Sequence, residues 1–426
     1  MQNLIRGWTV DGGVMSDDAS ERPDETVETV TPERLKERID AGEDVFLLDV
    51  RNEDDYAEWH IDGGTVESVN YPYFELLDGI PESLQATLPA DRRITVLCAK
   101  GGSSEMVAES LEDAGYTVEH LERGMKGWAR LYEYDELDTD GEATVAQYRR
   151  PSSGCLAYLV VSDGEAAVID PLRAFAAEYV QDARALGADL VYAIDTHVHA
   201  DHVSGIRTLA DEGATPVLPA AADARGVEYD IDYETVEDGE TLEIGDVAIE
   251  AIHTPGHTTG MTTYRVGDVH ESRSDSVANQ NAPRSGDVLF TGDGLFTESV
   301  ARPDLEDPDA AADAARTLHA SLHALIERFD DDTTVAPAHY SDAATPNADG
   351  TYTASLGTLV DTMDALSMDV ASFVEYVVND MPPRPANHES IISTNLGHTT
   401  LDDEEAFELE LGPNNCAASE EAMTGD

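Results

Sequence analysis

The chain has 426 residues, 41% of them apolar, which is enough to bury more than one core. It carries 88 acidic against 25 basic residues, a net charge of −63, and only three of the basic residues are lysines. A negative field of this size repels nucleic acid and anionic membranes, so neither is an expected partner. In molar salt the Debye length falls to about 3 Å and the self-repulsion largely vanishes, so the composition suits concentrated salt. Cys98, Cys155 and Cys416 are odd in number, widely separated and without a CxxC pair. That argues against a disulfide framework and a structural zinc site, and leads us to expect a reducing, cytoplasmic setting. No run of 18 apolar residues is present to span a membrane.

Residues 1–25 lack the apolar segment and cleavage site of a signal peptide and read as a disordered tail, with Met15 a second candidate start. "TPERLKERIDAGEDVFLLDVR" then predicts a helix capped by Thr31, with Pro32 in its first turn, followed by a buried strand. "RRITVLC" predicts a second strand and "EMVAESLEDAG" a helix closed by Gly115. Strands alternating with helices over residues 26–137 imply an α/β domain with a parallel sheet. The polar, aperiodic stretch "YDELDTDGEAT" places a linker at 138–144. From 145 to 426 the pattern changes to pairs of strands, "CLAYLVV", "EAAVID", "LVYAID", "VAIEAIHT", "TTYRV" and "DVLFTGD". Helical segments such as "AAEYVQDARALG" and "AARTLHASLHALIERF" are interleaved, which predicts two sheets packed as a sandwich between helices, with a C-terminal extension. Residues 268–287 read as a solvated loop between strands.

Two constellations carry chemistry. The first is "CAKGGSS", where a strand ends at Cys98 and a helix begins a few residues on. Free amides at a helix start favour an anion, so Ala99, Lys100, Gly101, Gly102, Ser103 and Ser104 are a candidate cradle for a sulfur anion on Cys98. The second is "DTHVHADH", which supplies His197, His199, Asp201 and His202 directly after a strand. "TPGHTTG" adds His257, "FTGDGLF" adds Asp293 and "VAPAHY" adds His339, each at a strand end. Imidazoles with carboxylates suit zinc or iron(II).

"LLDVRNEDDYAEWHIDGG", "CAKGGSS" and "ERGMKGW" follow the order seen in rhodanese domains, which residues 28–135 resemble. The resemblance implies a rhodanese-like fold, Cys98 as the carrier of sulfane sulfur, and Asp49 and Arg51 as supports of the sheet edge. Ser103 stands where the family usually has an arginine.

Residues 145–345 resemble the metallo-β-lactamase superfamily, whose αββα sandwich agrees with the paired strands. "SSGCLAYLV", "SVARPDLED" and "MPPRP…ELGPNNCA" are similar to persulfide dioxygenases within it. That resemblance implies Fe(II) held by His197, His257 and Asp293, with zinc the alternative metal. His199, Asp201, His202 and His339 would border the pocket or form a second metal site. It further implies Arg302 as an anchor for a substrate carboxylate, and Cys416 near the pocket or packed. The expected substrates are a low-molecular-weight thiol persulfide and O2, and the expected products sulfite or thiosulfate; a homodimer is compatible with this reading. The alternatives are a binuclear-zinc thioester hydrolase resembling glyoxalase II, and a non-catalytic sulfur carrier or sensor. In charge the whole chain resembles a cytosolic protein of an extreme halophile.

Overall fold

The structure, a computed structural model, describes residues 27–139, 141, 143–268, 287–341, 344–379, 381 and 384–412. The expected tail, Cys416 and nearly all of the 268–287 loop lie outside the described residues. The chain forms two compact units, dividing between Leu131 and Tyr132.

The first unit holds five parallel strands: β1 (Thr29–Val30), β2 (Val45–Asp49), β3 (Val66–Asn70), β4 (Ile94–Leu97) and β5 (Val118–Leu121). Their order is β1-β5-β4-β2-β3. Each residue of β2 and β4 is buried, which is why both read as unbroken apolar runs rather than alternating ones. The connecting helices are α1 (Pro32–Asp40), α2 (Glu53–Glu58), α3 (Glu82–Gln85), α4 (Gly102–Asp113) and α5 (Gly124–Trp128). Thr31 caps α1, its hydroxyl accepting from the Arg34 amide at 3.2 Å. The two faces of the sheet pack Val107 and Leu111 of α4 on one side and Leu35, Met125 and Trp128 on the other.

The second unit is a sandwich. One sheet runs β12-β11-β10-β9-β8-β7-β6, formed by β6 (Glu133–Glu136), β7 (Thr144–Arg150), β8 (Cys155–Ser162), β9 (Glu165–Ile169), β10 (Asp189–Ile194), β11 (Thr215–Pro219) and β12 (Glu234–Val236). The other runs in sequence order from β13 (Thr241–Ile244) through β14 (Val247–His253), β15 (Thr262–Asp268), β16 (Val288–Gly292) and β17 (Thr334–Pro337) to β18 (Ala354–Ser355). Leu156, Tyr158, Val160 and Ile169 of the first sheet meet Ile249, Tyr264, Val266 and Phe290 of the second in one core. The outer face of the first sheet is covered by α6 (Ala176–Ala185) and α7 (Ile206–Ala210); α8 (Ala220–Asp223) follows β11. The other outer layer packs α9 (Ala311–Arg328), α10 (Leu356–Thr362) and α11 (Val370–Asn379) into one cluster with Val335 of β17. The chain then adds α12 (His388–Asn395) and α13 (Asp403–Leu409).

The α/β domain and the αββα sandwich agree with expectation, but the boundary does not. β6 pairs antiparallel with β7, so the stretch expected to be a linker at 138–144 connects two strands of the second unit. Polar composition marked a hairpin connection there, not a domain border. Asp287, expected in a solvated loop, is buried on Arg265, whose Nε donates to it at 2.6 Å.

Candidate functional site

In the first unit Cys98 follows β4 directly and is buried. The Gly101 amide donates to its Sγ at 3.1 Å, and its S–H donates to Ser104 Oγ at 3.4 Å. Ser104 in turn donates to the Gly101 carbonyl at 2.8 Å. Gly101 takes a left-handed φ of 100°, which turns the chain around the sulfur into the first residue of α4. Ala99, Lys100 and Gly102 face solvent, while Ser103 is half-buried. "ERGMKGW" underpins the loop: the Met125 amide donates to the Cys98 carbonyl at 2.8 Å and that of Lys126 to Ala99 at 3.0 Å. A Cβ on Gly124, whose φ is +55°, would collide with the Cys98 carbonyl, so only glycine permits this approach. Asp49 and Arg51 form a buried pair at 2.6 Å, and Arg51 also donates to the Trp59 carbonyl at 2.6 Å.

In the second unit the expected polar side chains all come from turns that follow strands. His197, His199, Asp201 and His202 follow β10, His257 follows β14, Asp293 follows β16 and His339 follows β17. Three donor atoms face one another: His197 Nε2 and His257 Nε2 each lie 3.6 Å from Asp293 Oδ2. All three are buried and have no hydrogen-bond partner. Such a separation is too long for a hydrogen bond, and each orphaned buried polar atom costs about 1–3 kcal/mol. A shared cation with bonds of about 2.1 Å removes that cost at close to this spacing. The three side chains therefore fit a metal ion.

The other atom of each donor is held. His257 Nδ1 donates to the Arg302 carbonyl at 2.9 Å, which leaves the Nε2 lone pair facing the centre. His197 Nδ1 lies 2.9 Å from Thr196 Oγ1, and Asp293 Oδ1 accepts from His339 Nδ1 at 2.7 Å. Burial, and then the neighbouring His199, holds the His197 imidazole well below its ordinary pKa. Burial also lowers that of His257. Burial opposes ionisation of Asp293, but the charge and hydrogen bond of His339 outweigh it and hold the carboxyl low. Neutral imidazoles and an ionised carboxylate are the states that ligate metal.

The remaining expected residues form a second, adjoining cluster. His199 Nε2 bonds Asp170 Oδ1 at 2.9 Å, and its Nδ1 lies 3.8 Å from Asp201 Oδ1. Asp201 Oδ2 contacts His202 Nδ1 at 2.7 Å and His339 Nε2 at 3.0 Å. Arg302, expected to anchor a substrate carboxylate, is held by its neighbours. It is buried, its Nε and Nη2 both donate to Asp304, and Arg384 shares that carboxylate at 2.9 Å. Its guanidinium neutralises Asp304 while its carbonyl orients His257.

Three residues outside the expected set matter. Asp170 directly follows β9 with a left-handed φ of 51°, a strained state for a non-glycine residue. Its Oδ1 accepts from the Thr196 amide at 2.7 Å, and its Oδ2 from the Thr196 hydroxyl at 2.9 Å. The acid closing "VID" was its only signal. Asn395 of α12 donates to the carbonyls of His199 (3.0 Å) and His202 (2.8 Å) and accepts from the Ser204 amide at 2.9 Å. Glu410, paired with Arg150 in the interior, accepts from the Val203 amide at 2.8 Å. Nothing local in the sequence ties these last two to a loop 191 to 207 residues earlier.

An αββα sandwich with convergent histidines and an aspartate at its strand ends defines a metal-binding fold of the β-lactamase type, in a chain that also carries an α/β unit with a cysteine loop. Comparison with known families agrees: residues 31–131 match the rhodanese-like domain and residues 151–270 the metallo-beta-lactamase superfamily. The chain thus joins a rhodanese-like domain to a metallo-beta-lactamase superfamily domain. It is 32% identical over 178 residues to the mitochondrial persulfide dioxygenase ETHE1 of Homo sapiens, covering 41% of this chain and 59% of that protein. A probable hydroxyacylglutathione hydrolase of Schizosaccharomyces pombe is 32% identical over 152 residues, 35% of this chain and 48% of that one. A crystal structure of a metallo-beta-lactamase from Staphylococcus aureus superposes with a TM-score of 0.53 at 25% identity, over 62% of this chain and 74% of that chain. The chain spans somewhat over half the length of the persulfide dioxygenases it matches. Among the described residues no helix is long and apolar enough to cross a membrane.

Proposed function

We propose that the second unit is a persulfide dioxygenase, oxidising a low-molecular-weight thiol persulfide to sulfite with O2, and that the first unit transfers sulfane sulfur at Cys98. The observation that carries the first part is the trio of partnerless buried atoms, His197 Nε2, His257 Nε2 and Asp293 Oδ2. Two imidazoles and one carboxylate are the donor set of non-haem Fe(II) oxygenases. Iron(II) held there supplies a route for electrons from spin-paired sulfur to O2, which do not react readily with each other. The Arg302 carbonyl fixes the His257 tautomer, Thr196 and Asp170 fix that of His197, and His339 holds Asp293 by one oxygen. The buried setting excludes competing water.

Support for the second part is the amide and hydroxyl cradle of Cys98. A Cys98 thiolate attacks the terminal sulfur of R–S–SH; the S–S bond breaks, R–S⁻ leaves with a proton from solvent, and Cys98 keeps the persulfide. Sulfite attacking that persulfide gives thiosulfate and regenerates the thiolate.

A thioester hydrolase with two zinc ions is the second reading, favoured by Asp201, His202 and His339 lying beside the trio. The test is anaerobic reconstitution with Fe(II), followed by oxygen-electrode traces with a chemically prepared thiol persulfide. Uptake of O2 with sulfite formation is expected. Absence of uptake, with thioester cleavage under zinc, establishes the hydrolase instead. Cys98→Ser should abolish sulfur transfer and leave O2 uptake intact.

A further inference from the structure

Seven large apolar side chains are exposed among the described residues, and four of them, Tyr73, Phe74, Leu77 and Met106, belong to two segments that border the Cys98 loop. Tyr73 and Phe74 lie on a short 3-10 turn, Tyr73–Leu76, which comes after β3 and packs against α4. Two hydrogen bonds tie that turn to the loop. The Tyr73 amide donates to the Val50 carbonyl at 3.0 Å, and the Val50 amide donates to the carbonyl of Leu97, the residue before Cys98, at 2.9 Å. β3 and β4 run parallel in one sheet, so both segments leave it at the same edge. Met106 stands three residues after Ser103 on α4 and therefore shares its helix face.

Leu76 and Ile80 turn inward onto the core that holds Cys98 and Val107, which is enough to anchor the turn. Phe74 and Leu77 stay 52% and 64% exposed, so the fold of this unit does not account for them. Apolar side chains gathered in one place and rimmed by charge mark an interaction surface, whereas scattered ones do not. The rim here is acidic: Glu75, Asp78, Glu105 and Glu109 are all exposed, with Lys100 on the loop itself. Ser103 offers no bidentate clamp for a small anion, so a sulfur donor has to be gripped by contacts outside the loop.

We propose that Tyr73, Phe74, Leu77 and Met106 form a docking surface for a protein sulfur donor, one whose persulfide sits on a cysteine within an apolar segment flanked by lysine or arginine. The apolar segment covers the four side chains, its basic flanks meet the acidic rim, and its cysteine is brought to Cys98. A low-molecular-weight persulfide has neither the apolar area nor the flanks to use this surface. The Cys98 thiolate attacks the outer sulfur of the partner's S–SH group, and the S–S bond breaks. The partner's thiolate leaves and takes a proton from solvent, and Cys98 keeps the persulfide, so no oxidant is needed. This inference rests on the reading of Cys98 as a sulfur carrier and is independent of the dioxygenase activity.

The test uses the full-length protein and a synthetic fluorescent peptide with one cysteine among leucines, flanked by lysines. Fluorescence anisotropy should show the thiol form binding, and the double variant Phe74→Ser, Leu77→Ser should weaken it at least about tenfold, as loss of an interface anchor does. Met106→Ser should weaken binding in the same direction, a second readout if the double variant fails to fold. Val370→Ser, which removes an exposed apolar group of α11, should leave binding unchanged. In its persulfide form the peptide should load Cys98, read by intact mass, faster than a low-molecular-weight persulfide does. The double variant should lose that advantage and keep the slower rate. Equal binding by the wild type and both docking variants, or equal binding of a glutamate-flanked peptide, would mean adhesion without docking and overturns the inference. Loading by the small persulfide with no advantage for the peptide overturns it too, and spares the sulfur-carrier reading. If neither donor loads Cys98, that reading falls and this inference falls with it.

Discussion

Replacing Asp170 with asparagine should cripple metal binding although Asp170 is not among the converging donors. Three donors point at its two oxygens: the Thr196 amide and His199 Nε2 at Oδ1, and the Thr196 hydroxyl at Oδ2. Because the Thr196 hydroxyl gives its proton to Asp170, its oxygen accepts from His197 Nδ1, and His197 Nε2 keeps its lone pair for a cation. In Asp170→Asn, Oδ1 still serves the first two donors, but an NH2 replaces Oδ2. The Thr196 hydroxyl must then accept from Asn and donate to His197 Nδ1. That moves the imidazole proton to Nε2, where it faces Asp293 and blocks the lone pair. Loss of such a supporting hydrogen bond weakens metal binding roughly 10- to 100-fold, or about 1.4–2.7 kcal/mol. Cobalt or iron(II) binding isotherms measure it, with circular dichroism confirming the fold. Thr196→Val should show a smaller loss, because it removes the relay without reversing it. Wild-type affinity in Asp170→Asn would falsify the tautomer argument.

Asn395→Ala leaves two loop carbonyls and one amide unsatisfied, and should cost about 2–3 kcal/mol by denaturant midpoint; a loss below about 0.5 kcal/mol would mean that water replaces the side chain freely. Burial pushes the Asp195 carboxyl up to about 6 from an ordinary 3.8. The native state therefore binds the extra proton between those values, and stability falls as pH rises from about 4 through 6, by at most about 3 kcal/mol. Metal-free Asp195→Asn should lack this decline, gaining on the wild type at pH 8 and not at pH 4; parallel pH profiles would remove the assignment. Transfer from molar salt to dilute buffer should unfold the protein, as read by circular dichroism, because the net charge of −63 is then unscreened. Retention of full structure there would show that the charge is tolerated without salt.

Buried strands announce themselves as apolar runs, so β2, β4 and β8 were legible without coordinates. β6 was not: one tyrosine among three acidic residues earns strand geometry only by pairing with β7. The cysteine loop was legible because its parts are contiguous, with six positions separating Cys98 from Ser104. His197, His257 and Asp293 were reachable only through short motifs scattered over about a hundred residues, and their equivalence there to His199 or His339 could not be broken by spacing.

The run of residues alone determined the two sheet architectures, the cysteine loop and the candidate donors, because strand period, helix caps and turn glycines act over a few neighbours. Only tertiary structure decided which donors face one another, since an imidazole is aimed by whatever holds its other nitrogen. Those holders are the Arg302 carbonyl, Thr196 with Asp170, and Asp293 for His339, all but Thr196 on distant elements. The same dependence turned Arg302 inward. An arginine between solvent and a nearby carboxylate goes to the partner that the fold supplies, and here the fold supplies Asp304.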